Sequence, residues 1–204
     1  MTVKNHLIIF SKIPRYAIVK KRLANEIGNM EALRFYDNLL RRNLRNLGND
    51  SRWNCWLALS NRRDKIRREK SWDCKFFFQG HGGLGFKMEN CLKKVPDGNT
   101  ILVGGDIPDI DRVNISNAFN KLRFYDLVLG PSFDGGFWLI GVKGNLNLRR
   151  KNIFNLFNSV RWSSEFALKD TLKNIRNKKL YLLSYKNDID TYADLKLNQF
   201  LSSR

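Results

Sequence analysis

An acidic residue that directly follows a short apolar run is the first candidate for chemistry in this sequence. Residues 101–103 are too few for a helix and are rich in β-branching, which predicts a buried strand. Gly104 and Gly105 remove side chains where this strand ends, so a ligand can approach the backbone closely. Asp106 then lies at the carboxyl end of a central strand, where open α/β sheets bind ligands. This placement favours a metal or substrate role over the alternative, a cap on the next helix.

A second acidic residue lies in the glycine-containing loop GPSFDGGFW. Gly135 and Gly136 let the backbone pass close to a ligand and present Asp134 as a general base or as an acceptor for substrate hydroxyls. Phe137 or its neighbour can stack on a sugar or a base, and strand alternation places one of the two in the core. The alternative is a hairpin turn whose acid caps backbone amides. The doubled glycine favours the functional interpretation.

Two further carboxylates, Asp188 and Asp190, are separated by one residue, so in extended backbone they face the same side. Two carboxylates from one loop suit a divalent cation such as Mg²⁺, which takes few protein ligands. The alternative is that Asp190 or Thr191 caps the last helix.

Basic residues follow the first predicted strand, at residues 7–10. Arginine forks match phosphate oxygens and lysine supplies point charge, so this loop suits a diphosphate; the alternative is ordinary surface basicity. The basic residues of the loop are Lys12, Arg15, Lys20, Lys21 and Arg22.

The glycine-rich segment GHGGLG at residues 80–85 fits the G-x-G-x-x-G pattern of dinucleotide-binding loops. The helix that follows is short, and the pattern lies mid-chain rather than at the start of the fold. We therefore interpret this segment, including Gly82, as a substrate-contacting loop, with a flexible turn as the equal alternative.

Bulk composition indicates a soluble globular protein. The chain has 204 residues, of which 43% are hydrophobic, and no apolar run approaches the roughly 20 residues of a membrane span. The amino-terminal apolar run is too short for a signal peptide, which predicts a cytoplasmic location. Three scattered cysteines argue against a zinc site or a disulfide framework.

The net charge of +18 is compatible with nucleic acid, an anionic membrane surface or phosphorylated substrates. One basic cluster stands out, at residues 62–70. A solvated surface is about twice as common for such a run as a specific binding patch. Binding of RNA or an anionic membrane by this cluster is therefore the weaker alternative.

Strands and helices alternate along the whole chain without linkers or repeats. This alternation predicts one α/β domain over residues 1–204, with three layers and a mostly parallel sheet. Residues 126–130 and 137–142 are joined too tightly for a helical crossover, so one antiparallel strand is expected there.

Several segments taken together resemble the DUF2064 family, in family order and over nearly the whole chain. Its members are identified as GT-A-type glycosyltransferases linked to arsenosugar biosynthesis, or as selenodomain-associated transferases, and are similar in fold to the molybdenum-cofactor guanylyltransferase. The resemblance implies a GT-A domain that handles a nucleotide-linked sugar, usually with Mg²⁺ or Mn²⁺. The segments are FSKIPRYAIVKKRL, QGHGGLGFKM, GGDIPDI, GPSFDGGFWLIG, RWSSE and DIDTYADL.

The resemblance also implies roles for individual residues. Lys12, Lys20 and Arg22 match the family's first loop and would hold the nucleotide diphosphate. Asp106 would bind the metal, with Asp190 near it. Of the residues considered above, Asp134, Gly135 and Gly136 would line the acceptor side.

The sequence departs from the family at five positions. Glycine is usual at Ala17, threonine at Lys21, aspartate at Gly83, arginine at Lys87 and tyrosine at Phe137. Ala17 reduces close approach of the backbone to a phosphate. The missing acid at position 83 bears on which donor is used and on whether the protein is catalytically active.

Sugar transfer from a nucleotide-diphosphate donor to a small-molecule acceptor is therefore the leading hypothesis. Nucleotidyl transfer from a nucleoside triphosphate to a phosphorylated or cofactor acceptor is the alternative, since the same loop and acids would serve. A non-catalytic basic module that binds RNA or membrane is a more distant alternative, and a dinucleotide-binding oxidoreductase is the most distant.

Overall fold

The computed structural model describes residues 4–60, 74–144, 156–175 and 177–202, with backbone only for the last five. Within these ranges, seven strands form one sheet. The strands are β1 (Asn5–Ser11), β2 (Asn54–Leu59), β3 (Cys74–Phe78), β4 (Asn99–Gly104), β5 (Leu127–Pro131), β6 (Phe137–Val142) and β7 (Leu180–Leu182). The described helices are α1 (Lys21–Ile27), α2 (Asn29–Gly48), α3 (Leu84–Lys94), α4 (Arg112–Lys121), α5 (Ala167–Asn174) and α6 (Tyr192–Ser202).

The sheet has the order β3-β2-β1-β4-β6-β5-β7. β6 is antiparallel to both β4 and β5, and every other pairing is parallel. This confirms the predicted fold class, including the single antiparallel strand. The chain proceeds from β1 outward to β3 and then returns to the other side of β1 with β4. The carboxyl ends of β1 and β4 therefore form a topological switch point, the usual ligand-binding position in such sheets.

Helices cover both faces of the sheet, as the strand alternation requires. On β1, Leu7 and Ile9 point to one apolar core, which also contains Leu44 of α2 and Ile115 of α4. Ile8 points to the opposite core, which contains residues of α3. All of these side chains are buried, so the sheet is a rigid support for the loops at its edge.

Two features of the loops differ from the sequence prediction. The sequence pattern after β1 predicts a loop over residues 11–23, but α1 begins within it at Lys21. The spacing of Leu168, Leu172 and Ile175 predicts a helix from Ser163, but α5 begins only at Ala167, because Ser163 has a left-handed backbone with φ of 59°. The basic cluster at residues 62–70 lies outside the described residues. No described helix has the length and apolarity to cross a membrane.

Candidate active site

A cleft of about 260 Å³ lies where the β4 loop, the β5–β6 turn and the segment before α5 meet. Three of its lining residues, Asp106, Asp134 and Asp188, are acids predicted to carry chemistry. Gly104, Gly136 and Phe137 also line it, so predicted residues from three segments of the chain surround one space. The full lining is Leu84, Met88, Gly104, Asp106, Ile107, Ser132, Asp134, Gly136, Phe137, Trp138, Trp162, Ser163, Ser164, Ala167 and Asp188.

Beside this cleft, the side chain of Lys20 joins acids from two distant parts of the chain. Its Nζ lies 2.8 Å from Asp106 Oδ2, 3.0 Å from Asp188 Oδ2 and 3.0 Å from Asp190 Oδ1. The Lys20 side chain is only 4% exposed, while those of the three acids are 30–45% exposed. The ammonium is therefore buried at the centre of the cluster, and the carboxylates remain open to solvent on their outer side. We call these four residues the Lys20 cluster.

Electrostatics explains how a lysine can be buried here. Burial alone would lower the pKa of Lys20, but the charges of the three acids outweigh burial and raise it. Burial raises the pKa of Asp188 to about 6; Asp106 and Asp190 add to this rise, and Lys20 opposes it. Burial would also raise the pKa of Asp190, but Lys20 outweighs it and lowers that pKa. The cluster thus carries more negative charge than one ammonium can balance.

A buried asparagine of α2 positions the loop that carries Asp106. Asn43 Nδ2 donates to the carbonyls of Gly105 at 3.1 Å and Ile107 at 3.0 Å, on both sides of Asp106. Asp111, in turn, caps α4 by accepting from Asn114 N. The expected alternative role of Asp106, as that helix cap, therefore belongs to Asp111.

The side chain of Asp190 does not cap α6 either. Thr191 and Asp194 cap α6 reciprocally, with Asp194 N donating to Thr191 Oγ1 and Thr191 N donating to Asp194 Oδ2. The side chain of Asp190 is then available to Lys20. Of the two alternatives for Asp190 or Thr191, the structure assigns the cap to Thr191.

The backbone of the first loop is strained where Lys20 enters the site. Ala17 has φ of 56° and Lys20 has φ of 46°, both in the left-handed region that costs non-glycine residues about 1–2 kcal/mol. The family resemblance places a glycine at position 17, and this backbone conformation gives the physical reason. Tyr36 of α2 supports the start of the loop, since its hydroxyl bonds both the amide and the carbonyl of Lys12.

The contacts of Asp134 agree with both roles that the sequence left open, the bracing of the turn and a part in chemistry. Its Oδ1 accepts from Ser132 Oγ at 2.5 Å and from Gly136 N at 2.9 Å, so it does brace the turn. Its Oδ2 has no hydrogen-bond partner among the described residues, and the side chain lines the cleft. One oxygen thus holds the carboxylate in place while the other is able to accept a proton.

Other predicted residues lie outside the cleft lining. Lys12 and Arg22 are exposed, and Arg22 is close enough to Asp190 to lower its pKa. Gly82 lies in an exposed turn. A Cβ on Gly105 would meet Leu40 at 3.1 Å, and one on Gly135 would meet the Glu165 backbone at 2.2 Å, so both glycines serve close packing. Ligand contacts for these five residues remain predictions.

The segment before α5 contributes residues to which the sequence reasoning assigned no role. Trp162, Ser163 and Ser164 line the same cleft as the acids. They belong to the RWSSE segment of the family resemblance, and the tryptophan next to two hydroxyls was the available signal. Asn43 was missed because it lies within a helix whose pattern shows only its apolar face.

The donor chemistry of the Lys20 cluster fits a divalent cation. Three carboxylates and one ammonium carry a formal net charge of −2, and carboxylate oxygens are the ligands that Mg²⁺ and Mn²⁺ prefer. Among the described residues, no group of three or more His, Cys, Asp or Glu is arranged so that it could hold a metal ion by itself. Mg²⁺ commonly uses only one or two carboxylates together with phosphates, so the cluster remains suited to a metal that arrives with a nucleotide.

We expect Asp188→Asn to raise the free energy of unfolding at pH 8 in metal-free buffer. The pKa of Asp188, about 6, lies above the ordinary value of 3.8, so its ionised form disfavours folding above pH 6 and this penalty disappears below about pH 4. Urea unfolding of both proteins at pH 4, 6 and 8 measures the difference. Asp37→Asn is the control, because Asp37 is similarly exposed but pairs with Arg41 on the surface. A lower stability of Asp188→Asn at pH 8 would contradict the expectation.

Comparison with known proteins shows which family the sequence matches. Residues 43–164 match the family model described as an uncharacterized protein conserved in bacteria (DUF2064), which is more than half of the chain. The match includes Asp106, Asp134 and Trp162. No curated protein matches the sequence.

Solved structures with the same fold cover almost the whole chain. One is a provisionally assigned nucleotide-diphospho-sugar transferase from Desulfovibrio desulfuricans G20, with 27% identity, a TM-score of 0.85, and coverage of 97% of this chain and 87% of that chain. Another is the inositol-1-phosphate CTP transferase from T. maritima, with 14% identity, a TM-score of 0.59, and coverage of 98% and 96%. A third is Rv0371C from Mycobacterium tuberculosis H37Rv in complex with manganese, with 12% identity, a TM-score of 0.53, and coverage of 97% and 98%.

Proposed function

The chain belongs to the DUF2064 family, and from that premise we propose that it is a metal-dependent glycosyltransferase that uses a nucleotide-diphosphate sugar, built as one GT-A-like domain over residues 1–204. The observation that carries the proposal is the Lys20 cluster, which brings a basic loop and three acids together beside the cleft at the switch point of the sheet. The similarity to the Desulfovibrio protein supports a transferase with a nucleotide-derived donor.

On this proposal, the first loop binds the donor. Lys20 and Arg22 neutralise the diphosphate, and exposed Lys12 adds charge at the loop entrance. The absence of side chains at Gly104 leaves room beside Asp106, since a Cβ there would lie 3.2 Å from Asp106 Oδ1. Donor binding therefore depends on the positive charge of the loop after β1 and on close approach of the donor to the backbone at the end of β4.

Asp134 acts on the acceptor. Its free Oδ2 takes the proton of the acceptor hydroxyl as the oxygen forms its bond to the anomeric carbon. The bond from that carbon to the diphosphate breaks, and the nucleoside diphosphate leaves with the electron pair. Ser132 and Gly136 hold Asp134 in place for this role through its other oxygen.

Asp106 and Asp190 would hold Mg²⁺ or Mn²⁺, with Asp188 beside them. Such an ion, when bound, offsets the charge that develops on the leaving diphosphate. The manganese complex of Rv0371C is a precedent for metal binding in this fold, at an identity that carries no residue-level argument.

Thermal unfolding of the full chain with a panel of sugar nucleotides and nucleoside triphosphates, with and without Mn²⁺, tests the proposal. A sugar nucleotide is expected to raise the melting temperature only when Mn²⁺ is present, with about 2.7 kcal/mol of stabilisation at a concentration of 100 Kd. Release of nucleoside diphosphate indicates sugar transfer, and release of pyrophosphate from a triphosphate indicates nucleotidyl transfer. If no nucleotide stabilises the chain in a metal-dependent way, the proposal fails.

Binding measurements with RNA and anionic vesicles, beside the nucleotide panel, address the non-catalytic alternative. Binding of RNA or anionic vesicles through residues 62–70 predicts an affinity that falls steeply with salt and does not change when Asp106 is replaced. Metal-dependent stabilisation by a nucleotide would instead depend on Asp106.

A further inference from the structure

We propose that the acceptor of this enzyme is a ring compound that bears hydroxyl groups, carries no anionic group and stacks one apolar face on Trp162. This inference rests on the proposed function and specifies the substrate class for the same site. It follows from three properties of the cleft: a fixed aromatic wall, oxygen atoms in the same lining, and the charge of the lining.

The aromatic wall is built before any ligand arrives. The Trp162 ring contacts Phe137 at 6.1 Å between centroids in an edge arrangement, and Phe157 at 5.7 Å. Gly85 of α3 lies against both Trp162 and Phe157, since a Cβ there would approach Phe157 Cβ to 2.7 Å. Aromatic rings of this kind offer a flat face to the C–H side of a sugar or another ring.

The backbone that carries Trp162 is also held in place. Arg161 donates to both oxygens of Asp170, from Nε at 2.8 Å and from a terminal nitrogen at 2.9 Å, and its backbone amide donates to the same carboxylate. Ser164 Oγ donates to the Arg161 carbonyl at 2.6 Å. The wall therefore requires little reorganisation on binding, which reduces the cost of ordering a ligand.

The lining of the cleft also carries oxygen atoms. Asp134 offers an unpaired carboxylate oxygen, and Ser132 and Ser163 line the same space. A ligand that is apolar on one face and has hydroxyls at its edge can contact both the aromatic ring and these oxygens, because hydroxyls both donate to carboxylates and accept from serine.

The charge of the lining argues against an anionic acceptor. The cleft is lined by three acids, Asp106, Asp134 and Asp188, and by no basic residue among those described, although the chain carries a net charge of +18. On the proposed function, Asp106 and Asp188 lie with the cation and the donor, so Asp134 is the lining charge left for the acceptor. A phosphate or carboxylate on the acceptor would meet this charge with no basic side chain of the described lining beside it, which costs affinity.

The test uses matched ring compounds and the indole NMR signals of the full chain in Mg²⁺. The set contains neutral methyl glucoside, anionic methyl glucuronide and glucose 6-phosphate, and cationic glucosamine. The same series of charges is prepared for other hydroxylated rings. The neutral members are expected to shift the Trp162 indole signal, with at least about tenfold weaker binding of the anionic members. Trp162→Leu is expected to abolish binding, and Trp162→Tyr to restore it by returning a flat ring. Because both variants lack the Trp162 indole, their binding is measured on the NMR signals of the ring compound.

Trp56→Leu is the matched control, because Trp56 is also a half-buried ring in contact with a phenylalanine but lies outside the cleft lining. It is expected to leave ring binding unchanged. The proposal is overturned if the anionic members bind as tightly as the neutral ones, if Trp162→Leu retains binding, or if no neutral ring binds. Metal-dependent stabilisation by a nucleotide, measured on the same samples, separates this failure from a failure of the proposed function.

Discussion

Replacing Lys20 with methionine is expected to destabilise the protein while it tightens the binding of Mn²⁺. Methionine fills a similar volume but leaves three carboxylates that had shared one ammonium within 3.0 Å. Removing one partner of a buried ion pair costs about 3–5 kcal/mol, and we expect about 3 kcal/mol because the acids are partly exposed. The same excess of negative charge is expected to increase affinity for Mn²⁺ roughly tenfold or more.

Urea unfolding and titration of free Mn²⁺ by electron paramagnetic resonance measure these two effects. Added Mn²⁺ is expected to stabilise Lys20→Met more than the unchanged protein, and so is a lower pH, because protonation relieves the repulsion among the acids. Lys12→Met is the control, since Lys12 is exposed in the same loop and has no ion pair within the described part of the chain. An unchanged or weaker affinity of Lys20→Met for Mn²⁺ would mean that the ammonium and the metal do not compete for these carboxylates.

Replacing Asp106 with asparagine is expected to remove the metal-dependent stabilisation by nucleotides. Asparagine keeps the shape and an oxygen for Lys20, but it lacks the charge that holds a cation. Replacing a residue that only supports a metal ligand costs 10–100-fold in metal affinity, so removal of the ligand itself is expected to cost roughly 100-fold or more. Calorimetric titration with Mn²⁺ and a nucleotide measures this loss.

The fold should survive this change, because Lys20 keeps Asp188 and Asp190 as partners. Asp111→Asn is the matched control, since it removes the same charge five residues away and asparagine caps a helix as well as aspartate does. Equal loss of metal binding in both variants would indicate a general charge effect, and full retention in Asp106→Asn would remove Asp106 from the metal site.

Much of the fold could be predicted because its determinants are local. The apolar run at residues 101–103 depends on a few adjacent residues, and the structure has β4 there. The short connection between residues 130 and 137 excluded a helical crossover, and β6 is antiparallel as a result. Boundaries failed where backbone strain intervened, as at Ser163, whose left-handed φ no pattern of apolar residues reveals.

The candidate site was predicted in part for the same reason. Asp106 and Asp134 could be identified because each follows a strand and adjoins glycines, and both line one cleft. The role of Gly135 could not be read in the same way: a glycine needed for a ligand and a glycine needed for packing against residue 165 look identical in sequence.

The sequence by itself determined the kinds of residue available for chemistry and the sheet edge at which they gather, because strand ends and glycine loops are local features. Only the tertiary structure decided that Lys20 meets acids that lie 168 and 170 residues further along the chain. It also decided that Trp162 and Asp134 line one cleft, which has no basic lining residue in the described chain. Charge balance and ring stacking act over a few ångströms in space, so they depend on which loops the folded sheet brings together rather than on distance along the chain.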